Sequence, residues 1–200
     1  MGRFMDVIIS LFILVLLSPL FLIIGLLIKL SSKGPVFFIQ SRIGRNNELF
    51  KFYKFRSMKI GTPNVATDKL DDSVNYVTTI GKFLRKSSID ELPQFINTFK
   101  GDMTFVGPRP ALYNQYELKE MRTAAGVHVL LPGLTGWAQI NGRDNNDDHE
   151  KTKYDLYYLN NRSFSLNVKI LFKTVFKVLK AEGIVDSEGK KKLWGMFKEI

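Results

Sequence analysis

The chain has 200 residues, 29 Lys and Arg against 19 Asp and Glu, a formal charge of +10 and no cysteine. That length supports one core with an appendage. The absence of thiols excludes a disulfide framework, a thiolate zinc site and a cysteine nucleophile. With only His128 and His149, far apart in sequence, any metal should be hard and oxygen-ligated, and the positive charge points to nucleic acid, anionic lipid or a phosphorylated substrate.

Val7 to Ile28 is a stretch of 22 residues without an ionisable side chain. As one helix it would be about 33 Å long, against a bilayer core of about 30 Å. The exit Ser31-Ser32-Lys33-Gly34-Pro35 lacks the small-x-small pattern of a signal-peptide cleavage site. Ser18-Pro19, near the middle, predicts a sharp bend, because proline removes a backbone bond and a serine hydroxyl can take up the freed carbonyl. Arg3 precedes the run, and Lys29 and Lys33 follow it. Cations at both ends suit a re-entrant hairpin returning to one membrane face, with a single span as the alternative.

After Pro35, period-two apolar patterning in Val36–Ile39 and Leu49–Arg56, separated by Gly44, Asn46 and Asn47, predicts a strand pair. Residues 61–75 read as a loop, and Ile80–Arg85 as a short helix. A helix is expected from Ser88 to Lys100, ended by Gly101, and another from Leu112 to Ala125. Leu131 to Arg143 is glycine-rich and reads as a structured loop; helices are expected over Glu150–Asn160 and Leu166–Ala181. In the last of these Lys169, Lys173, Lys177 and Lys180 recur at helical spacing, and Lys190-Lys191-Lys192-Leu193-Trp194 adds a basic-aromatic patch. Such a helix lies on an anionic membrane or packs on the core with solvated lysines.

Ser88-Ile89-Asp90-Glu91 fits a capping box, in which Glu91 would return a hydrogen bond to Ser88. The same placement has a chemical reading. A helix start favours an ionised carboxylate and attracts phosphate, so Asp90 is a candidate nucleophile. Lys54, Arg56, Arg85, Lys86, Arg109 and Arg143 are candidate phosphate-binding cations, Arg109 being stiffened between Pro108 and Pro110. Trp137 is expected to pack rather than to stack on a base.

Five ordered motifs carry a resemblance: Lys54-Phe55-Arg56-Ser57-Met58, Ser88-Ile89-Asp90-Glu91-Leu92-Pro93-Gln94, Gly101-Asp102-Met103, Val106-Gly107-Pro108-Arg109-Pro110, and Pro132-Gly133-Leu134-Thr135-Gly136-Trp137-Ala138-Gln139. Together they resemble the bacterial sugar transferase family, the monotopic phosphoglycosyl transferases, in its minimal catalytic form. The resemblance implies an α+β, mostly helical fold. It divides the chain into a membrane hairpin over residues 1–33 broken at Ser18-Pro19, a catalytic domain with a short β-hairpin and interfacial helices over 34–185, and a basic tail over 186–200.

The implied reaction moves a sugar 1-phosphate from a UDP-sugar to undecaprenyl phosphate, releasing UMP. Asp90 is the implied nucleophile, Glu91 a base or a positioner of Mg²⁺ (Mn²⁺ as the alternative), and both are the implied metal ligands. Lys54, Arg56, Arg85, Arg109 and Arg143 are the implied phosphate-binding residues. The segments Asn64–Asp68 and Ala111–Leu118 resemble capsule-type members using an N-acetylated deoxyhexosamine. One departure is Leu131, where members often carry a basic residue. Implied partners are membrane lipids and, beyond the substrates, another copy of the chain or glycan-assembly enzymes, with no nucleic acid; the implied location is the cytoplasmic face of the bacterial plasma membrane. The residues alone leave two other readings open: a membrane-tethered module for nucleic acid or anionic lipid, and a non-catalytic anchor.

Overall fold

The computed structural model describes residues 2–63, 65, 76–142 and 146–179, excluding the side chains of 178 and 179. Arg143, Lys180, the 186–200 tail with its Lys190–Trp194 patch, and most of the 61–75 loop lie outside the described residues. The expected α+β, mostly helical class is observed.

Two apolar helices open the chain, α1 (Arg3–Leu16) and α2 (Ser18–Ser31), meeting at Leu17 with a bend of 59°. Pro19 sits in the first turn of α2, where a missing N–H is tolerated. The Ser18 hydroxyl donates to the Val15 carbonyl at 2.8 Å, the acceptor that proline leaves without its backbone donor. The break is therefore at the expected place. Each arm is 14 residues, about 21 Å long.

The expected hairpin follows, β1 (Phe37–Ile43) pairing antiparallel with β2 (Leu49–Phe55), with Phe38 opposite Lys54 and Arg42 opposite Phe50. Then come α3 (Thr79–Lys86), α4 (Gln94–Lys100), β3 (Thr104–Val106), α5 (Tyr116–Ala124), β4 (Gly133–Thr135), α6 (Trp137–Ile140), α7 (Asp148–Asn161) and α8 (Phe164–Leu179). Thr78 caps α3 by accepting from the Gly81 N–H, and Asp147 with Glu150 forms a capping box at α7.

Three expectations need correction. The helix expected from Ser88 is instead a single 3₁₀ turn, Ile89–Glu91, with α4 starting only at Gln94 after Pro93. No capping box forms there: Ser88 has left-handed backbone (φ 57°) and its side chain caps nothing, because Glu91 is drawn to cations from other elements. The helix expected from Leu112 begins at Tyr116, since Leu112 bridges to Arg42 of β1. Residues 131–143 are not all loop, because β4 pairs in parallel with β3 and α6 follows. Glycine is what permits that pairing. A Cβ on Gly133 or Gly136 would collide with the Gly107 backbone.

Two apolar clusters stabilise the unit. Ile24 and Ile28 of α2 pack with Phe55 and Leu84, so the N-terminal helices share a core with the rest of the chain. The second cluster joins Phe105, Val106, Leu130, Ile140, Tyr158 and Ile170. Trp137 packs against it and stacks on Tyr157, as expected for a packing residue.

Candidate active site

Asn97 decides where the carboxylates sit. Fully buried in α4, it donates to the Lys51 carbonyl at 2.6 Å and accepts from the Tyr53 N–H at 3.1 Å. Its own carbonyl receives the Gly101, Asp102 and Met103 N–H groups, closing the helix. Gly101 suits this close, because its φ is 100°, a left-handed conformation that side chains rarely adopt. The 3₁₀ turn before α4 is thereby held against β2, with Asp90 and Glu91 facing Lys54.

Lys54 and Arg109 both donate to Oε1 of Glu91, each at 2.7 Å. Burial alone would raise the Glu91 pKa, but Arg109 and Lys54 together hold it well below the usual carboxylate range. Asp90 is 5% exposed, and Lys54 comes no nearer than 4.0 Å. No described residue donates a hydrogen bond to it. Its pKa is raised, first by burial and then by Glu91, against the lowering influence of Lys54, Arg85 and Arg109. The result is one pinned carboxylate beside one with unengaged oxygens.

Arg109 is itself held by its backbone. Arg122 donates to the Arg109 carbonyl at 2.8 Å and forms a buried pair with Asp155 at 2.6 and 2.9 Å. Arg42 donates to the next carbonyl, Pro110, at 3.0 Å. Two arginines thus grip the proline-flanked segment that aims Arg109 at Glu91.

Of the residues expected at a phosphate site, Lys54 and Arg109 hold Glu91, and the Arg85 charge acts on Asp90. Arg56 does neither. It is 5% exposed and donates to the carbonyls of Ile28, Ser32 and Lys33, closing the end of α2. Arg143 lies outside the described residues. Ser18 and Pro19 form the helix break. His128 and His149 are not among the residues around the pair; His128 lies behind Arg109, in a small pocket shared with Arg122.

Arg42, Asn97, Arg122 and Asp155 were not anticipated. Arg42 had a legible signal: it lies on the same alternating strand face as Gln40, and across the ladder from the Phe50, Phe52 and Lys54 face.

The oxygens of Asp90 and Oε2 of Glu91 are hard donors on adjacent residues, outside the two 2.7 Å contacts. This fits Mg²⁺, which takes one or two carboxylates and fills its shell with water and phosphate oxygens. No cluster of three or more metal-capable side chains occurs among the described residues, so a cage made by protein alone is not what they offer.

The chain is similar to bacterial transferases of differing length. The chain is 41% identical over 187 residues to the UDP-N-acetylgalactosamine-undecaprenyl-phosphate N-acetylgalactosaminephosphotransferase of Aeromonas hydrophila, covering 90% of this chain and 44% of that protein. It is 42% identical over 179 residues to the UDP-glucose:undecaprenyl-phosphate glucose-1-phosphate transferase of Escherichia coli K12, covering 86% and 39%. The chain therefore spans less than half the length of these two relatives. It covers 89% of the uncharacterized sugar transferase EpsL of Bacillus subtilis, with 41% identity over 188 residues and 91% of this chain aligned. The bacterial sugar transferase profile matches residues 1–181, a span that includes both helices, the hairpin and the paired carboxylates, and the chain belongs to that family.

Proposed function

We propose that this chain transfers a sugar 1-phosphate from a UDP-sugar to undecaprenyl phosphate, starting the assembly of a capsule, exopolysaccharide, O-antigen or glycoprotein glycan. The observation that carries this reading is the Asp90–Glu91 pair: a carboxylate that takes no hydrogen bond from any described residue, beside one locked by Lys54 and Arg109. A nucleophile needs unengaged oxygens, and a diphosphate needs fixed cations. Asp90 attacks the sugar-bearing phosphorus and UMP departs. An oxygen of the lipid phosphate then attacks the same phosphorus and regenerates Asp90.

Lys54 and Arg85 flank the nucleophile and screen the approaching diphosphate. Glu91 keeps Lys54 and Arg109 in register; its depressed pKa makes it a positioner rather than a proton acceptor. Mg²⁺ held by Asp90 and Glu91 would supply charge neutralisation at the diphosphate. The donor is proposed to carry an N-acetylated deoxyhexosamine.

The membrane placement rests on how the first two helices are fastened. Arg3 donates to the carbonyls of Thr98 at 2.5 Å and Phe99 at 2.7 Å, and Asp6 accepts from Thr104 at 2.8 Å. At the other end, Arg56 holds the close of α2. Both ends are tied to one folded unit, which favours a re-entrant insertion over a span. Two arms of about 21 Å bent by 59° dip about 10 Å if both ends lie at one surface. Phe4, Phe12, Val15 and Leu16 on α1, and Leu22, Leu26 and Leu30 on α2, are exposed and would face acyl chains on the cytoplasmic side of the plasma membrane.

The test is a panel of UDP-sugars assayed for UMP release by purified protein in lipid nanodiscs. One donor should release UMP and leave a sugar phosphate on Asp90 when lipid acceptor is withheld. No UMP from any donor, or full lipid product from Asp90→Asn, would overturn the reading.

A further inference from the structure

The antiparallel ladder puts Phe38, Gln40 and Arg42 on the same hairpin face as Lys54, Phe52 and Phe50, because directly paired residues share a face and alternate residues return to it. The face is completed by one buried ring. The Arg42 guanidinium lies 5.2 Å and the Lys54 ammonium 5.7 Å from the centroid of Phe52. Arg42 donates through Nε to Gln40 at 2.9 Å and through Nη1 to the Pro110 carbonyl at 3.0 Å. Its Nη2 has no hydrogen-bond partner among the described residues.

Among the described residues, Lys54, Arg109 and Arg42 gather around the single carboxylate of Glu91. Lys54 and Arg109 already share Glu91, and Arg42 sits close enough that burial and then the Arg109 charge pull its pKa down to about 9, with Glu91 opposing. A guanidinium under that repulsion gains when an anion arrives. Arg42 stands apart from the other cations: Lys54, Arg85 and Arg109 all act on Asp90, whereas Arg42 is coupled to Arg109 and Glu91 and is not among the charges acting on Asp90. In an in-line displacement, nucleophile and leaving group occupy opposite sides of the phosphorus. The charge that leaves must therefore be received away from Asp90.

Building on the function proposed above, we infer that Arg42 is a substrate-contacting residue that holds, with Arg109, the phosphate of the departing nucleotide. A bond forms from an Asp90 oxygen to the sugar-bearing phosphorus while the bond from that phosphorus to the bridging oxygen breaks. The bridging oxygen keeps the electron pair and leaves on UMP, whose new negative charge is met by Arg42 Nη2 and Arg109. No such charge departs in the second half-reaction, so Arg42 serves the first half only.

The test uses the full chain in nanodiscs, as wild type, Arg42→Gln and Arg42→Lys. Three quantities are read: UMP release in the absence of acceptor, transfer from the preformed adduct to lipid phosphate, and UMP affinity by calorimetry. Arg42→Gln should slow UMP release and weaken UMP binding by about tenfold or more, with transfer from the adduct within about twofold of wild type. Arg42→Lys should recover part of the affinity, and serves as the folded comparison if the glutamine variant is unstable. Equal slowing of both half-reactions, or unchanged UMP affinity, would overturn the assignment. A wild-type chain that forms no adduct would sink the proposed function instead, and the calorimetric comparison would still decide whether Arg42 binds the nucleotide.

Discussion

Asp90 and Glu91 are adjacent in the chain yet their carboxyl groups are driven in opposite directions, Asp90 upward by burial and Glu91 downward by Arg109 and Lys54. An acid raised on folding binds more protons in the native state, so ionising Asp90 costs stability as pH rises through and above its unfolded value of 3.8. Asp90→Asn should therefore melt above wild type at pH 7 and lose that advantage near pH 3.5. Activity should fall at least ~10³-fold. Thermal melts at both pH values and UMP release check the two halves; a melting loss at neutral pH would contradict the electrostatic account.

Glu91 has the opposite sign. Its stabilising contribution is present above the ordinary value of 4.5 and disappears as pH falls through its depressed folded value. Glu91→Gln leaves Lys54 and Arg109 without their shared counter-charge. The variant should melt below wild type at pH 7, converge with it in acid, and lose about 10²-fold in kcat/KM. Melting curves across pH and steady-state kinetics read both effects.

Asp155 lies far from the carboxylates in sequence but supports them through Arg122. Asp155→Ala would leave a buried guanidinium uncompensated, at a cost of about 3–5 kcal/mol. Chemical denaturation should show that loss. In the fraction that remains folded, kcat should fall because the Arg109 carbonyl loses its fixed donor. A stability change below about 1 kcal/mol would mean that the pair contributes little.

Arg56 separates structure from phosphate binding. If its work is to close α2, Arg56→Ala should destabilise the chain by about 2–3 kcal/mol through several lost charge-assisted bonds, and leave the KM for the nucleotide sugar unchanged. A KM raised tenfold with native stability would restore the phosphate role.

Because the chain has no native cysteine, single cysteines at Gly2 and Ser32 can be labelled without background. Impermeant reagent should reach both from the cytoplasmic side of vesicles. Labelling from opposite sides would rule out the re-entrant arrangement.

The sequence carried the helix break, the strand pair and the acidic dipeptide because each depends on local rules. Proline at 19 cannot donate, and the Ser18 hydroxyl takes the stranded carbonyl. Alternation from Leu49 to Phe55 needs only a partner strand to become a hairpin. The capping box at Ser88 failed for an equally physical reason. A serine–glutamate bond is worth about 1 kcal/mol, and two cations at 2.7 Å outbid it for the same carboxylate.

What the amino-acid order determined by itself was a bent apolar entry, a basic chain and a carboxylate pair flanked by arginines and prolines. Which arginine does what was decided only in three dimensions. Arg56 and Lys54 are two residues apart, yet one closes a helix and the other meets Glu91, because the end of β2 turns them into different surroundings. Arg42, Arg109 and Arg122 meet from separate elements around one backbone segment. Charge is written in the sequence, but its partners are set by which backbone carbonyls and carboxylates the fold brings within hydrogen-bond reach.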